Sequence, residues 1–539
     1  MKIPKVSIIQ YVLTVSTANV FTNSNSYSGQ VSAFSFTPSL FRFNLKEVGS
    51  NQGWMQTALK MANLDPEFYR RRRETKNIND CVQLDDDDNQ EAFNALGDLA
   101  IEGQGAVGFK FVMDDNAKEV RFRFDPAKGN DIDSGESSPH PIFHTISNEK
   151  GWVITDLVTC EELAGPVYDD RGLPLLNPGR NQTFWMSFDK ENLSIKGGSG
   201  YMLTALQLVE KRFEEPQDVY NQTVHEKKLK EYQNKYGKIS KYSMDPSSIK
   251  QDEDGCKIVE LITSKYPITQ DLPPIVKDHQ DITLEDLDTR TAISIKELSP
   301  ECQRLYENVA GASIKISPPD FPDFAQAIDY SINFGFCKET LARKAQGEFE
   351  GGKSDYDANQ AYLRVTLGSN LGDSPGIPYV MEIWPAGCYS PIHDHSQANA
   401  IIKVLHGSLT TRWFESLDRV QQQKELLTST CNPVPYKQAV ISEGDVTWLD
   451  DRQFQTHQLF NHNVDGTACI TIQCYMYNNR DVSHYENFDY IGGTDNEIIG
   501  FVPNSDWDYE CFKQLLKEEF SKYKENAAPV PDLKPRGGT

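Results

Sequence analysis

Tyr379-Val380-Met381-Glu382-Ile383-Trp384-Pro385-Ala386-Gly387-Cys388-Tyr389-Ser390-Pro391-Ile392-His393-Asp394-His395 reads as a strand, a glycine turn, a second extended run and two histidines one residue apart. Successive side chains of a strand point to opposite faces, so positions i and i+2 share one. His393 and His395 therefore face the same way, Asp394 faces away, and both imidazoles can reach one metal ion. Downstream, 401–405 runs into a His406-Gly407 turn and a further strand at 408–414.

Ten histidines spread evenly over 539 residues would put about two in any window of 92, yet the window from His393 to His484 holds six: His393, His395, His406, His457, His462 and His484. His457 lies 62 residues past His395 and precedes a strand at 468–477. Strands far apart in sequence become neighbours in a small barrel, which can bring this third imidazole to the first two.

The segment from Gly387 to Gly407 resembles the first cupin motif, and Gly444-Asp445 through His457 and Asn461 resembles the second. Within cupins, Ile392-His393-Asp394-His395 followed by Lys403-Val404-Leu405-x-Gly407 is similar to the cysteine dioxygenase family, with the likeness running from Phe324 to Tyr477. It implies a mainly β protein whose C-terminal part is a cupin barrel (a double-stranded β-helix or jelly roll) with flanking helices. It also implies one Fe(II) per chain held by His393, His395 and His457, and no organic cofactor. Arg364 stands where the family binds a substrate carboxylate, a task that suits the guanidinium fork, with Tyr362 beside it. Thr471-Ile472-Gln473-Cys474-Tyr475 stands where the family carries a Ser-x-His-x-Tyr triad. Alternation puts Thr471, Gln473 and Tyr475 on one face with Tyr475 in the site; Tyr477 takes its place if the register slips by two.

Departures from the family pattern are informative. Gln473 replaces a histidine, so a hydrogen-bond relay to the tyrosine can persist but a titratable group cannot. Asn399 and Ala400 occupy the positions at which many metal cupins add a glutamate ligand. Three neutral imidazoles leave Fe(II) its full charge, which suits an anionic thiolate. Ala400 also excludes a cysteine–tyrosine thioether at that position, and Cys388, Cys469 and Cys474 read as packing residues. The activity implied is that of an oxidoreductase, a dioxygenase adding both atoms of O2 to the sulfur of cysteine to give cysteine sulfinic acid. Alternatives are a dioxygenase of another small thiol acid such as 3-mercaptopropionate, or a catalytically silent metal-binding cupin acting as a binding module.

The totals narrow the partners. A net charge of −24 disfavours both nucleic acid and an anionic membrane surface. No apolar run reaches the roughly 18 residues of a membrane span. Ten cysteines without a CxxC pair point to reduced, cytoplasmic usage. The expected partners are a small thiol and O2; no partner is assigned to the N-terminal region.

Residues 1–240 read as a β-rich N-terminal region of unassigned function, 241–295 as a polar linker, 296–525 as the cupin domain and 526–539 as a flexible tail. Within the first region, 108–112 and 120–124 predict one hairpin around Asp114-Asp115-Asn116, and 183–188 with 193–195 predict another. Residues 203–236 predict a charged helix, and 299–309, 324–346 and 506–524 predict further helices. Residues 1–21 read as a strand rather than a signal peptide, 70–73 as a helix end and 85–88 as a solvated loop. Every candidate site residue lies beyond Arg290, so a fragment from Arg290 to Lys524 is expected to fold and turn over alone.

Overall fold

In 120–124 valine and phenylalanine alternate with arginine, so a strand puts Val120, Phe122 and Phe124 on one face, and all three are fully buried. The computed structural model describes residues 82–83 and 93–526, apart from 128–138, 170–172, 215–220, 253–254, 257, 346–359, 368–378, 427–432, 464, 478–487, 493–495 and 502. The expectations for 1–21, 70–73, 85–88 and the tail beyond Asn526 lie outside the described residues.

The N-terminal strands are β1 (Val82–Gln83), β2 (Asn94–Asp98), β3 (Gly105–Val112), β4 (Glu119–Pro126), β5 (Ile142–Ser147), β6 (Gly151–Asp156) and β7 (Glu162–Val167). They continue with β8 (Asn181–Asp189), β9 (Ser194–Ser199), β10 (Gln207–Arg212), β11 (Ile239–Met244), the short pair β12 (Gln251–Asp252) and β13 (Gly255–Cys256), and β14 (Ile258–Ser264). One sheet runs β1-β2-β11-β4-β5-β6-β7 and the other β10-β9-β8-β3-β14. One apolar core lies between them.

The hairpin expected at 108–124 is corrected: β3 and β4 are strands, but they lie in opposite sheets. β3 pairs with β8 and β14, β4 with β5 and β11, and the Phe109 and Phe122 rings stack at 4.6 Å across the core. Alternation reports which face of a strand is buried, not which strand lies beside it. The second hairpin is present as β8 and β9, its turn held by the Asp189 carboxylate, which accepts from the backbone N–H groups of Glu191 and Asn192.

Two further expectations change. Within 203–236 the strand β10 precedes a helix, Gln222–Lys235, because Leu208 and Val209 find a sheet edge and packing against the sandwich core. The segment 241–295 is not a linker. β11 sits between β2 and β4, β14 pairs with β3, and β15 (Ile275–Lys277) enters the C-terminal barrel. Polar, proline-containing composition marked the turns of this stretch, while its strands draw stability from distant partners.

His144 is fully buried in the sandwich core. Its Nδ1 accepts from the Trp152 indole N–H at 3.2 Å, and burial against Phe124 and Phe188 pushes it down to about 3. An unfolded histidine takes up a proton near pH 6.5, so between there and pH 3 the unfolded chain binds the extra proton. The stability contributed by neutral His144 is thus complete above this window and is lost as pH falls through it, by about 1.4 kcal/mol per pH unit. Urea unfolding at pH 7 and pH 5 checks this: His144→Gln is expected to shrink the difference between the two pH values by about 2 kcal/mol. An unchanged difference would acquit His144.

The C-terminal strands are β15, β16 (Ala292–Ser294), β17 (Leu363–Leu367), β18 (Tyr379–Trp384), β19 (His393–Asp394), β20 (Asn399–His406) and β21 (Ser408–Trp413). After these come β22 (Lys437–Ser442), β23 (Val446–Leu449), β24 (His457–Phe460), β25 (Cys469–Met476), β26 (Phe488–Gly492), β27 (Glu497–Phe501) and β28 (Trp507–Asp508). They form two sheets, β16-β15-β23-β20-β25-β18-β17-β28 and β22-β21-β24-β19-β26-β27. From β18 to β26 the chain passes repeatedly from one sheet to the other, winding as a double-stranded β-helix. This half is a cupin-type jelly-roll barrel.

The helices expected at 299–309, 324–346 and 506–524 are present as Pro300–Val309, the pair Phe324–Phe334 and Phe336–Lys344, and Tyr509–Asn526. They cover one sheet from outside. Leu363, Val365, Met381, Ile383 and Ile470 pack against Phe324, Phe512 and Leu516. The alternate residues of the same strands, Arg364, Glu382 and Thr471, stand opposite one another in register and therefore point into the barrel. Among the described residues no helix is long and apolar enough to cross a membrane.

The sandwich is bonded to the barrel. Arg419, on the helix Leu417–Leu426, reaches the Asp169 carboxylate at 2.8 Å and the Pro174 carbonyl at 2.8 Å, with both charged groups buried. Tyr201, just beyond β9, meets the Thr456 hydroxyl at 3.2 Å, one residue before His457.

Candidate metal centre

The Gly387 turn, at φ +82°, ends the approach from β18 and lets the chain cross to the other sheet. There β19 lies between β24 and β26, and His393 stands directly opposite His457. Neighbouring strands thus supply two imidazoles, and the i+2 position after His393 supplies the third. Ring centroids are 4.9 Å apart for His393–His395, 4.7 Å for His393–His457 and 4.6 Å for His395–His457. One ligand nitrogen from each lies within 4.8 Å of the others.

These rings are oriented and neutral. His393 Nδ1–H donates to the Pro391 carbonyl at 3.0 Å, and His395 Nδ1–H to the Gln455 carbonyl at 2.9 Å, which leaves each Nε2 lone pair for a metal. Burial pushes His393 down to about 4, His395 to about 3 and His457 well below its ordinary value. Three deprotonated, converging imidazoles fit a transition-metal ion. His406 instead lies between Asp329 and Glu443, and His462 meets the Thr410 hydroxyl at 2.7 Å. Asn399 accepts from the Ser299 hydroxyl at 3.2 Å, next to the helix that Ser299 caps. His484 lies outside the described residues.

Tyr475 lies beside this triad. Its ring stacks on His395 with centroids 6.1 Å apart, and Phe488 packs edge-on against His395 at 4.7 Å. Burial raises the Tyr475 phenol well above its usual value, so it remains a hydrogen-bond donor, and it donates to Gln473. Gln473 Nε2 donates in turn to Glu382 and to Thr471. Gln473 therefore does relay to the tyrosine, as its position in the sequence suggested. Tyr477 follows the end of β25 and is less buried than Tyr475.

Arg364 is brought to the same interior but already has a carboxylate. Its Nη1 donates to Glu382 Oε1 at 2.9 Å, with only 2% and 5% of the two residues exposed. Burial raises the Glu382 carboxyl while Arg364 opposes that shift. Tyr362, expected to contact substrate, stacks on Trp384 at 4.3 Å with Lys344 over its ring. Glu382 escaped the sequence reading, although a lone acid inside Val-Met-Glu-Ile-Trp was a usable signal. His457 also lines an apolar cavity in the barrel together with Ile402, Val404, Leu409, Trp413 and Leu459.

No protein-family model matches the chain. Solved structures similar to it include a conserved protein with a double-stranded β-helix domain from Klebsiella pneumoniae, at 11% identity over 24% of this chain and 80% of that one, TM-score 0.17. A cupin domain of an XRE family transcriptional regulator from Enterobacter cloacae is 11% identical over 22% of this chain and 98% of its own, TM-score 0.16. Oxalate oxidase in complex with the substrate analogue glycolate is 16% identical over 30% of this chain and 74% of its own, TM-score 0.17. The barrel assignment rests on strand order and not on these likenesses.

Proposed function

We propose that the barrel is an Fe(II)-dependent thiol dioxygenase that adds both atoms of O2 to the sulfur of a small thiol, with cysteine as the reference substrate and cysteine sulfinic acid as its product. The observation that carries this reading is the convergence of three neutral imidazoles, joined by no carboxylate among the described residues, beside a buried phenol held by Gln473. His393, His395 and His457 would hold the iron. When bound, Fe(II) supplies open positions for a thiolate and O2 and lowers the thiol pKa. The redox balance is internal: sulfur gives up four electrons, O2 accepts four, and no external reductant is consumed.

The chain's own residues orient and enclose. Tyr475 presents its ring beside His395, and Gln473 fixes its hydroxyl without offering a titratable group. Phe488 covers His395 and Tyr475, which keeps water from that side. A reducing, cytoplasmic setting belongs to this reading; Cys302, Cys337, Cys469 and Cys474 are buried free thiols.

The test is oxygen uptake by the iron-loaded full chain with a panel of small thiols, run with 18O2. Thiol-dependent uptake and a sulfinic acid carrying both labelled atoms are expected. Absence of uptake with every thiol, or retention of a single label, overturns the reading.

A further inference from the structure

We propose that Glu382 sets the substrate class of this site by engaging Arg364, so that the preferred substrate is a small thiol bearing an amine and no carboxylate. This rests on the thiol dioxygenase reading above. Arg364 and Glu382 are register partners on β17 and β18, both point into the barrel, and their charged ends meet at 2.9 Å in an almost water-free interior. The other Glu382 oxygen accepts from Gln473, which holds Tyr475, whose ring lies on His395. The pair is therefore joined through two side chains to the metal triad. Lys344, close enough to act on Glu382, bonds the Asp506 carboxylate at 3.1 Å. Arg364 and Lys344 thus each face an internal carboxylate.

A substrate carboxylate arriving here would place a second anion on the Arg364 guanidinium beside Glu382. Like charges in a low-dielectric interior repel strongly, and displacing Glu382 would leave its carboxylate buried without its partner. An ammonium group meets the opposite situation. A carboxylate has about four lone-pair sites, so Glu382 keeps capacity for a further bond beyond those from Arg364, Gln473 and the neighbouring Trp384 indole.

Iron-loaded full-length protein is assayed by oxygen uptake with cysteamine, cysteine and 3-mercaptopropionate, and the same thiols are titrated into it anaerobically by calorimetry. Cysteamine is expected to lead both carboxylate thiols by at least about tenfold in kcat/KM and in affinity. Glu382→Gln keeps the side chain's shape, frees Arg364 for an incoming carboxylate, and is expected to lower the cysteamine-to-cysteine ratio by at least about tenfold. Tighter binding of cysteine or 3-mercaptopropionate by the parent protein overturns the proposal, and this ranking needs no variant. An unchanged ratio in folded Glu382→Gln overturns it too, as does a peptide with N-terminal cysteine that binds more than about tenfold better than cysteamine. If no thiol is oxidised but cysteamine is still bound in preference, the dioxygenase reading falls and the head-group assignment stands. If no thiol binds, both fall.

Discussion

Replacing His393, His395 or His457 with alanine is expected to leave the protein without its metal ion, while His406→Ala and His462→Ala retain one ion per chain. Each of the first three takes away one of three converging donors. Loss of a ligand's outer hydrogen-bond partner alone costs about 10- to 100-fold in metal affinity, so loss of the ligand itself is expected to exceed about 100-fold. The two control histidines differ by environment rather than by residue type: His406 sits between Asp329 and Glu443, and His462 on Thr410. Elemental analysis of the five purified variants decides the assignment, with the rise in melting temperature on adding metal as an independent readout. A normal metal content in His457→Ala would show the third ligand to be misassigned.

The second large effect concerns folding. The fragment from Arg290 to Lys524, which the distribution of site residues recommended as a free-standing enzyme, is now expected to fold poorly. It lacks β15, which pairs with β23, and it strips the Trp448 indole N–H of the Pro273 carbonyl at 3.1 Å. It also leaves Arg419 without Asp169. Removing one member of a buried ion pair costs about 3–5 kcal/mol, and Glu415 at 3.8 Å from Arg419 places this case near the low end. Against a typical total stability of about 5–15 kcal/mol these losses are large. The point substitution Asp169→Ala isolates one of them: a loss of about 3 kcal/mol is expected in urea unfolding of the full chain. A fragment from Arg290 that melts cooperatively near the parent temperature, or Asp169→Ala within about 0.5 kcal/mol of the parent, would show that the sandwich is dispensable for the barrel.

The convergence of the histidine triad was legible in the sequence because its geometry is mostly local. Two histidines at i and i+2 behind a glycine turn share a strand face in any register, and cupin-like spacing located His457. The helices flanking the barrel were legible for a similar reason, since helical hydrogen bonds join residues four apart. Strand partnership is not local, and there the sequence fell silent. β3 and β4 alternate as a hairpin would, yet they face each other across the sandwich. The polar run at 241–295 looked unstructured because its partners lie elsewhere in the chain. Arg364 posed the same difficulty inside the site. Its place on a strand and its inward face follow from alternation alone, but the carboxylate it meets depends on the register of β17 against β18, which puts Glu382 opposite it. The sequence by itself determined the barrel and the three imidazoles. Only the tertiary structure decided that the arginine beside them carries its own counter-ion, because a hydrogen bond between strands depends on which chains come together, while side-chain alternation depends only on the chain itself.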